Sequence, residues 1–124
     1  MKLLIDTQVL AWLLSGDRRL RKAWIDALAD PAVDAAISAV TAWEYSDLRQ
    51  RGRLPVRQDI AEVQALYSLT LVPLPAECWL LAADMPATHR DPVDRMLVAH
   101  ARAQAFTLIT ADEAIRNYPV DCLW

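Results

Sequence analysis

Glycine is nearly absent from this 124-residue chain, with only Gly16 and Gly52 present. That excludes a GxGxxG dinucleotide loop and a Walker-type phosphate loop. Cysteine is equally scarce. Cys78 and Cys122 lie far apart and at no zinc-ligand spacing, so both read as reduced, packed thiols. His89 and His100 are too few for a histidine-rich metal site, and Lys2 and Lys22 are the only lysines. Long apolar runs are missing as well. The longest, Val9 to Leu14 and Cys78 to Ala83, fall far short of the roughly 18 apolar residues of a membrane span. The opening MKLLID meets an acid at residue 6 and so lacks the apolar segment of a secretory signal. A cytoplasmic protein without membrane contact is expected. Positive charge does not dominate either. The net charge is −3, so the molecule as a whole does not attract nucleic acid. Such a role would need local basic patches or a metal ion that offsets local acid.

What is there is enough for a core. The chain is 55% hydrophobic and 23% charged, without repeat, linker or low-complexity tract. Its length predicts a single domain spanning residues 1–124 that buries roughly two-thirds of its unfolded surface. Met1 to Ile5 reads as a buried parallel strand. Helical spacing follows over 7–14 and again over 18–29, where Leu20, Trp24 and Leu28 lie four apart. Ala35 to Ser38 reads as a strand, and 39–51 as a helix closed by Gly52. A helix over 57–68, a strand over 69–74 and a short helix over 75–84 come next. Asp91-Pro92 opens a helix of about a dozen residues, near the usual mean. Phe106 to Ile109, Ala111 to Asn117 and Val120 to Leu123 read as strand, helix, strand. Strands alternating with helices predict an α/β fold with a mainly parallel sheet. Ligands of such sheets bind beyond the carboxyl ends of the strands.

Several carboxylates occupy that edge. Asp6 follows Leu3-Leu4-Ile5, and Asp112 follows Thr107-Leu108-Ile109-Thr110. Each is open to two readings, a helix N-cap or a site acid. Glu44 has Val40 and Leu48 four residues to either side and therefore lies on or beside an apolar stripe. A carboxylate there costs several kcal/mol unless paired or metal-bound, and an ion pair with Arg95 or Arg102 is one way to satisfy it. Asp91 is a good N-cap before Pro92 at the first helical position. Asp94 leads the face that continues through Leu97, Val98 and Ala101. Acids gathered at one sheet edge cannot all stay ionised without compensation. Hard divalent cations with oxygen ligands are the usual answer, and they suit a phosphodiester substrate attacked by a metal-activated water.

Together these segments carry a resemblance. LLIDTQVLAWLL, ISAVTAWEYSDLRQRGRLP, HRDPVDRMLVAHA, TLITADEAI and the terminal VDCLW, in this order, resemble a PIN domain. Within that family they most resemble the VapC-type toxins of bacterial toxin–antitoxin pairs. The resemblance covers nearly the whole chain. Each short motif is weak alone, and the ordered set is specific. It implies a compact three-layer α/β/α fold and an endoribonuclease dependent on Mg²⁺ or Mn²⁺. The family's catalytic and metal-binding acids map onto Asp6, Glu44, Asp94 and Asp112, with Asp91 accessory. Thr7, Ser38 and Thr110 fall where hydroxyls near the family's site orient acids or waters. Gln8 stands where the family usually has a small residue or histidine, and the WEYSDLRQ stretch departs from the commoner E-I-A-I-K pattern. The resemblance also implies a homodimer and a VapB-type antitoxin whose Arg or Lys enters the acidic site. Operator DNA would be reached only through that antitoxin.

RNA must also be held. Arg49, Arg51, Arg53 and Arg57 form a basic stretch after the Glu44 helix, read either as an RNA contact or as a solvated helix end. Arg90 beside Asp91 is a further phosphate contact candidate. Arg18, Arg19, Arg21 and Lys22 read as solvated surface. Trp12, Trp24, Trp43 and Trp79 sit at apolar helical positions and read as core or dimer interface rather than as base-stacking platforms. A receiver domain is disfavoured by the missing lysine. A haloacid-dehalogenase-type phosphatase is disfavoured by Gln8 at the place of its second acid. A hydrolase triad lacks a nucleophile at a sharp Gly-rich turn. The remaining alternative is a catalytically weak module that binds RNA or an antitoxin without cleavage.

Overall fold

The computed structural model describes residues 1–86 and 91–124. The elements run β1 (Lys2–Ile5), α1 (Thr7–Ser15), α2 (Lys22–Ala29), β2 (Asp34–Ser38), α3 (Ala39–Gln50), α4 (Ile60–Tyr67), β3 (Thr70–Val72), α5 (Glu77–Asp84), α6 (Pro92–Ala103), β4 (Thr107–Ile109), α7 (Glu113–Arg116) and β5 (Cys122–Leu123). The strands form one sheet in the order β3-β2-β1-β4-β5, and every pairing is parallel, with Leu4 opposite Ala36 on one side and Leu108 on the other. No described helix is long and apolar enough to cross a membrane.

The period-two alternation of the strands divides the core into two layers. Leu3, Ile5, Ala35, Ile37 and Ile109 point to one side, where Val9, Leu10 and Trp12 of α1, Leu28 of α2 and Val63 of α4 cover them. Leu4, Ala36 and Leu108 point to the other, under Cys78 and Ala82 of α5 and Leu97, Val98 and Ala101 of α6. Helix α3 serves both layers, with Val40 in the second and Tyr45 in the first. It thus brings Glu44 to a place where the two layers meet.

The expected elements are present, most with shorter bounds, while α1 and β2 each run one residue longer than expected. The helix anticipated over 18–29 begins only at Lys22. Ahead of it, Asp17 accepts from the Arg19 backbone N–H at 2.9 Å and pairs with the Arg19 guanidinium, so local side-chain bonding replaces the first helical turn. The helix anticipated from 57 begins at Ile60, because Asp59 and Glu62 form a reciprocal capping box. Gly16 ends α1 in the left-handed conformation at φ 67°, where a Cβ is costly. Cys78 and Cys122 are free thiols.

Candidate active site

Strand order reverses at the β1/β4 junction, the crevice in which open α/β sheets bind ligands. The Asp6 N–H donates to the Ile109 carbonyl at 3.2 Å. That bond extends the β1–β4 ladder and sets Asp6 beside the Thr110-Ala111-Asp112 turn. Asp6 Oδ1 caps α1 by accepting from the Val9 N–H at 2.8 Å. Asp112 Oδ1 caps α7 by accepting from Ala114 N–H at 2.8 Å, and Asp91 Oδ1 caps α6 by accepting from Val93 N–H at 2.9 Å. The cap and site readings of these three acids are therefore not alternatives. The bond that starts each helix also fixes where the carboxylate sits.

Asp6, Glu44, Asp91, Asp94 and Asp112 all line one open cavity of about 370 Å³, together with Thr7, Gln8, Trp12, Leu48, Leu54, Ala111 and Ile115. One carboxylate oxygen from each of Glu44, Asp91 and Asp94 lies within 4.8 Å of the other two. Asp91 thus belongs to the tightest group rather than to its margin. The Thr7 hydroxyl donates to Glu44 Oε1 at 2.5 Å, tying α1 to α3. Thr110 accepts from the Asp112 N–H through Oγ1 at 3.1 Å, and its side chain also bonds Asp6.

The electrostatics of the crevice raise two of its acids. Burial pushes the Asp6 carboxyl from 3.8 up to about 6, against the lowering hydrogen bonds from Thr110 and Val9, and the Asp112 and Glu44 charges add to the rise. Burial also raises the Glu44 carboxyl; the Thr7 hydroxyl opposes this, and Asp91 and Asp47 reinforce it. No arginine or lysine is among the described residues lining the cavity. The ion pairs considered for Glu44 do not form. The Arg95 guanidinium donates to the Ala82 carbonyl at 2.6 Å, and Arg102 is exposed.

Some expected residues lie elsewhere. Ser38 is fully buried and does not line the cavity; its hydroxyl caps α3 and meets His100 Nδ1 at 2.8 Å. Arg49 donates to the Arg57 carbonyl and Arg51 pairs with Asp47. Neither they nor Arg53 line the cavity. Arg90 lies outside the described residues. Of the tryptophans, Trp12 is core, in a tilted ring contact with Trp124 at a centroid distance of 5.5 Å, whereas Trp43 and Trp79 are 60% and 58% exposed. They flank an apolar groove of about 490 Å³ with Val40, Leu74, Val93 and Met96. Sequence reasoning missed the cavity's apolar wall of Trp12, Leu54 and Ile115. Leu48 alone was signalled, by its place one turn after Glu44.

An all-parallel sheet whose switch-point crevice is lined by carboxylates defines an acid-centred α/β scaffold. The PIN domain family model matches residues 3–121, and the chain belongs to the PIN domain family. No curated protein matches it in sequence. Among solved structures it is similar to VapBC2 from Rickettsia felis bound to a DNA fragment from their promoter (16% identity, 99% of this chain and 98% of that one, TM-score 0.72). It is also similar to a toxin–antitoxin complex from Klebsiella pneumoniae (19%, 98% and 96%, 0.69). A third is VapC20 from Mycobacterium tuberculosis, a sarcin–ricin loop cleaving toxin (16%, 95% of each chain, 0.66). At these identities the likeness is one of fold.

Proposed function

We propose that the chain is a divalent-metal-dependent endoribonuclease and the toxin of a VapBC-type pair. The observation that carries this reading is the convergence of Asp6, Glu44, Asp91, Asp94 and Asp112 on one crevice. A phosphodiester cannot approach such a cluster unaided. The donor set is all oxygen, and three of the carboxylates stand within 4.8 Å of one another, which fits a hard cation such as Mg²⁺ or Mn²⁺. When bound, the ion supplies positive charge against the phosphate and activates water for attack.

The chain's own residues do the positioning. Glu44, Asp91 and Asp94 form the group best placed to hold the ion, with Asp6 and Asp112 across the crevice. Thr7 fixes the Glu44 carboxylate by donating to Oε1. Thr110 orients Asp6 and the Asp112 turn. Leu48, Leu54 and Trp12 give the crevice an apolar wall that restricts water, and Gln8 offers a neutral amide at the mouth. RNA is the substrate favoured by the family resemblance and by the likeness to VapC20, a toxin that cleaves the sarcin–ricin loop.

A VapB-type antitoxin fits the same site, since an arginine or lysine side chain can bond carboxylates such as the five that line it. The neighbours include VapBC complexes. A homodimer is the state the resemblance implies, and the groove edged by Trp43 and Trp79 is the apolar surface a second copy would cover.

The test is incubation of the purified chain with cellular RNA and Mg²⁺ or Mn²⁺, beside chelated samples and the Asp94→Asn variant. Discrete fragments lost in both controls support the reading. Folded, antitoxin-free protein that cleaves nothing at any metal concentration overturns it in favour of a binding module.

A further inference from the structure

The structure assigns His100 a positioning role toward the acid cluster: through Ser38 it pins helix α6 to the start of helix α3 and so sets the spacing between Glu44 and the Asp91/Asp94 pair. This rests on the metal-site reading above.

Ser38 and His100 are both fully buried. Ser38 Oγ accepts from the Val40 N–H at 3.3 Å and lies 2.8 Å from His100 Nδ1. His100 Nε2 lies 2.9 Å from Gln104 Oε1. An amide oxygen only accepts, so Nε2 carries the proton, and Nδ1 receives the Ser38 hydroxyl. Phe106 meets the imidazole ring edge-on at a centroid distance of 5.8 Å. The Ser38 hydroxyl and both imidazole nitrogens are therefore paired, in one tautomer. Full burial bars a substrate from reaching this serine–histidine pair, so it is not a nucleophile and its base.

Its place in the fold gives the role. Ser38 precedes Glu44 by six residues, and His100 follows Asp94 by six, which is about 9 Å of helix in each case. Ser38 meets His100, and a carboxylate oxygen of Glu44 lies within 4.8 Å of one of Asp94. The two contacts run in opposite order along α3 and α6, so the helices lie antiparallel on this face, joined at one end by the hydrogen bond and facing each other with carboxylates at the other. Between them Leu97 is packed into the core, and the Asp91 charge raises the Glu44 carboxyl. A helix pair keeps its spacing at one end only when the other end is fixed. The Ser38–His100 bond is that fixture, and because a metal tolerates little change in ligand spacing, its loss should appear in metal affinity.

The experiment titrates Mn²⁺ into metal-free folded protein, by calorimetry or by the resonance of free Mn²⁺, for wild type, Ser38→Ala, His100→Gln, His100→Asn and Val63→Ala. Asparagine places an oxygen near the position of Nδ1 and can accept the Ser38 hydroxyl; glutamine reaches the position of Nε2 instead. Val63 is buried in the opposite layer and controls for general loss of stability. Ser38→Ala and His100→Gln should weaken Mn²⁺ binding about tenfold, while His100→Asn and Val63→Ala stay within about twofold of wild type. Wild-type affinity in Ser38→Ala, or equal loss in His100→Asn and His100→Gln, overturns the positioning role and leaves the metal site standing. Should the His100 variants not fold, Ser38→Ala against Val63→Ala decides on the same criterion. Wild-type protein that takes up no Mn²⁺ overturns the metal site itself, and this inference with it.

Discussion

Replacing Asp6 by asparagine should make the metal-free protein more stable at neutral pH, although Asp6 is a buried helix cap. The carboxyl titrates near 3.8 in an unfolded chain and at about 6 in the fold, chiefly because it is buried. A raised folded value means that the native state holds the proton more tightly than the unfolded one. Below pH 4 both states are protonated and no penalty exists. As pH rises from 4 to 6 the unfolded chain ionises first, so stability falls, and above 6 the loss is complete. The rise corresponds to about 3 kcal/mol at 1.36 kcal/mol per tenfold change in proton affinity. Asparagine caps a helix as well as aspartate does, so the Val9 bond survives, while the Thr110 contact is partly lost. A gain of about 1–3 kcal/mol at pH 7.5 is expected, and little or none at pH 4. With a urea slope of about 2 kcal/mol/M, the midpoint at pH 7.5 should rise by roughly 0.5–1.5 M. Urea unfolding with chelator, at fixed protein concentration, measures this. The difference between variant and wild type is the quantity to follow, because His100 tilts the wild-type curve the opposite way. Its burial lowers the imidazole's proton affinity in the fold, so that residue costs stability as pH falls below 6.5. A variant less stable than wild type at pH 7.5, or a difference independent of pH, would refute the reasoning.

Divalent metal should reverse the acid penalty. Mn²⁺ at a hundredfold excess over its dissociation constant should stabilise wild type by about 2.7 kcal/mol, and by less at pH 5, where protons compete for Asp6 and Glu44; calorimetric melting with and without Mn²⁺ checks it. Asp94→Asn and Asp6→Asn should fold yet lose RNA cleavage by at least about a hundredfold, and full activity in both would remove these acids from the site. Thr7→Val keeps the shape but removes the donor to Glu44; cleavage should fall about tenfold as the carboxylate loses its orientation, with single-turnover rates as the readout. Trp43→Ser should shift the chain toward monomer in light scattering if a second copy covers the apolar groove, whereas an unchanged mass at every concentration would place the dimer interface elsewhere.

The positions of the site acids were readable because each follows a strand or starts a helix, and both kinds of boundary leave marks in sequence. Asp6 after an apolar run, Asp112 after another and Asp91 before proline are local patterns. Glu44 was readable by the opposite logic, as a charge on a stripe that should be apolar. The partners of these acids were harder. Thr7 and Glu44 are 37 residues apart and meet only because α3 bridges the two layers. The Ser38–His100 pair spans 62 residues, and His100 lies on a helix face whose other members are apolar, so no spacing betrays it. The hydroxyl expected at Ser38 is real, yet it faces α6 rather than the crevice. The false start of α2 has a local cause: Leu20, Trp24 and Leu28 keep helical spacing, but Asp17 offers the backbone a better bond than the helix would.

The double use of Asp6, Asp91 and Asp112 also explains how so acidic a crevice folds before any cation arrives. Each of the three accepts a hydrogen bond from the first turn of its own helix, where the unpaired N–H groups of a helix carry partial positive charge. Three such ends therefore converge on the crevice from α1, α6 and α7 and offset part of the mutual repulsion. They cannot replace a full charge. Asp6 shows the remainder, since burial outweighs its cap and its Thr110 bond and leaves it half-protonated at about pH 6. Glu44 sits in the body of α3 without a helix end to help it and depends on Thr7 instead. The acids at the helix starts are thus held by bonds to the first turns of their own helices, and their carboxylate oxygens face the crevice where a cation, from metal or from an arginine of a partner, would bind.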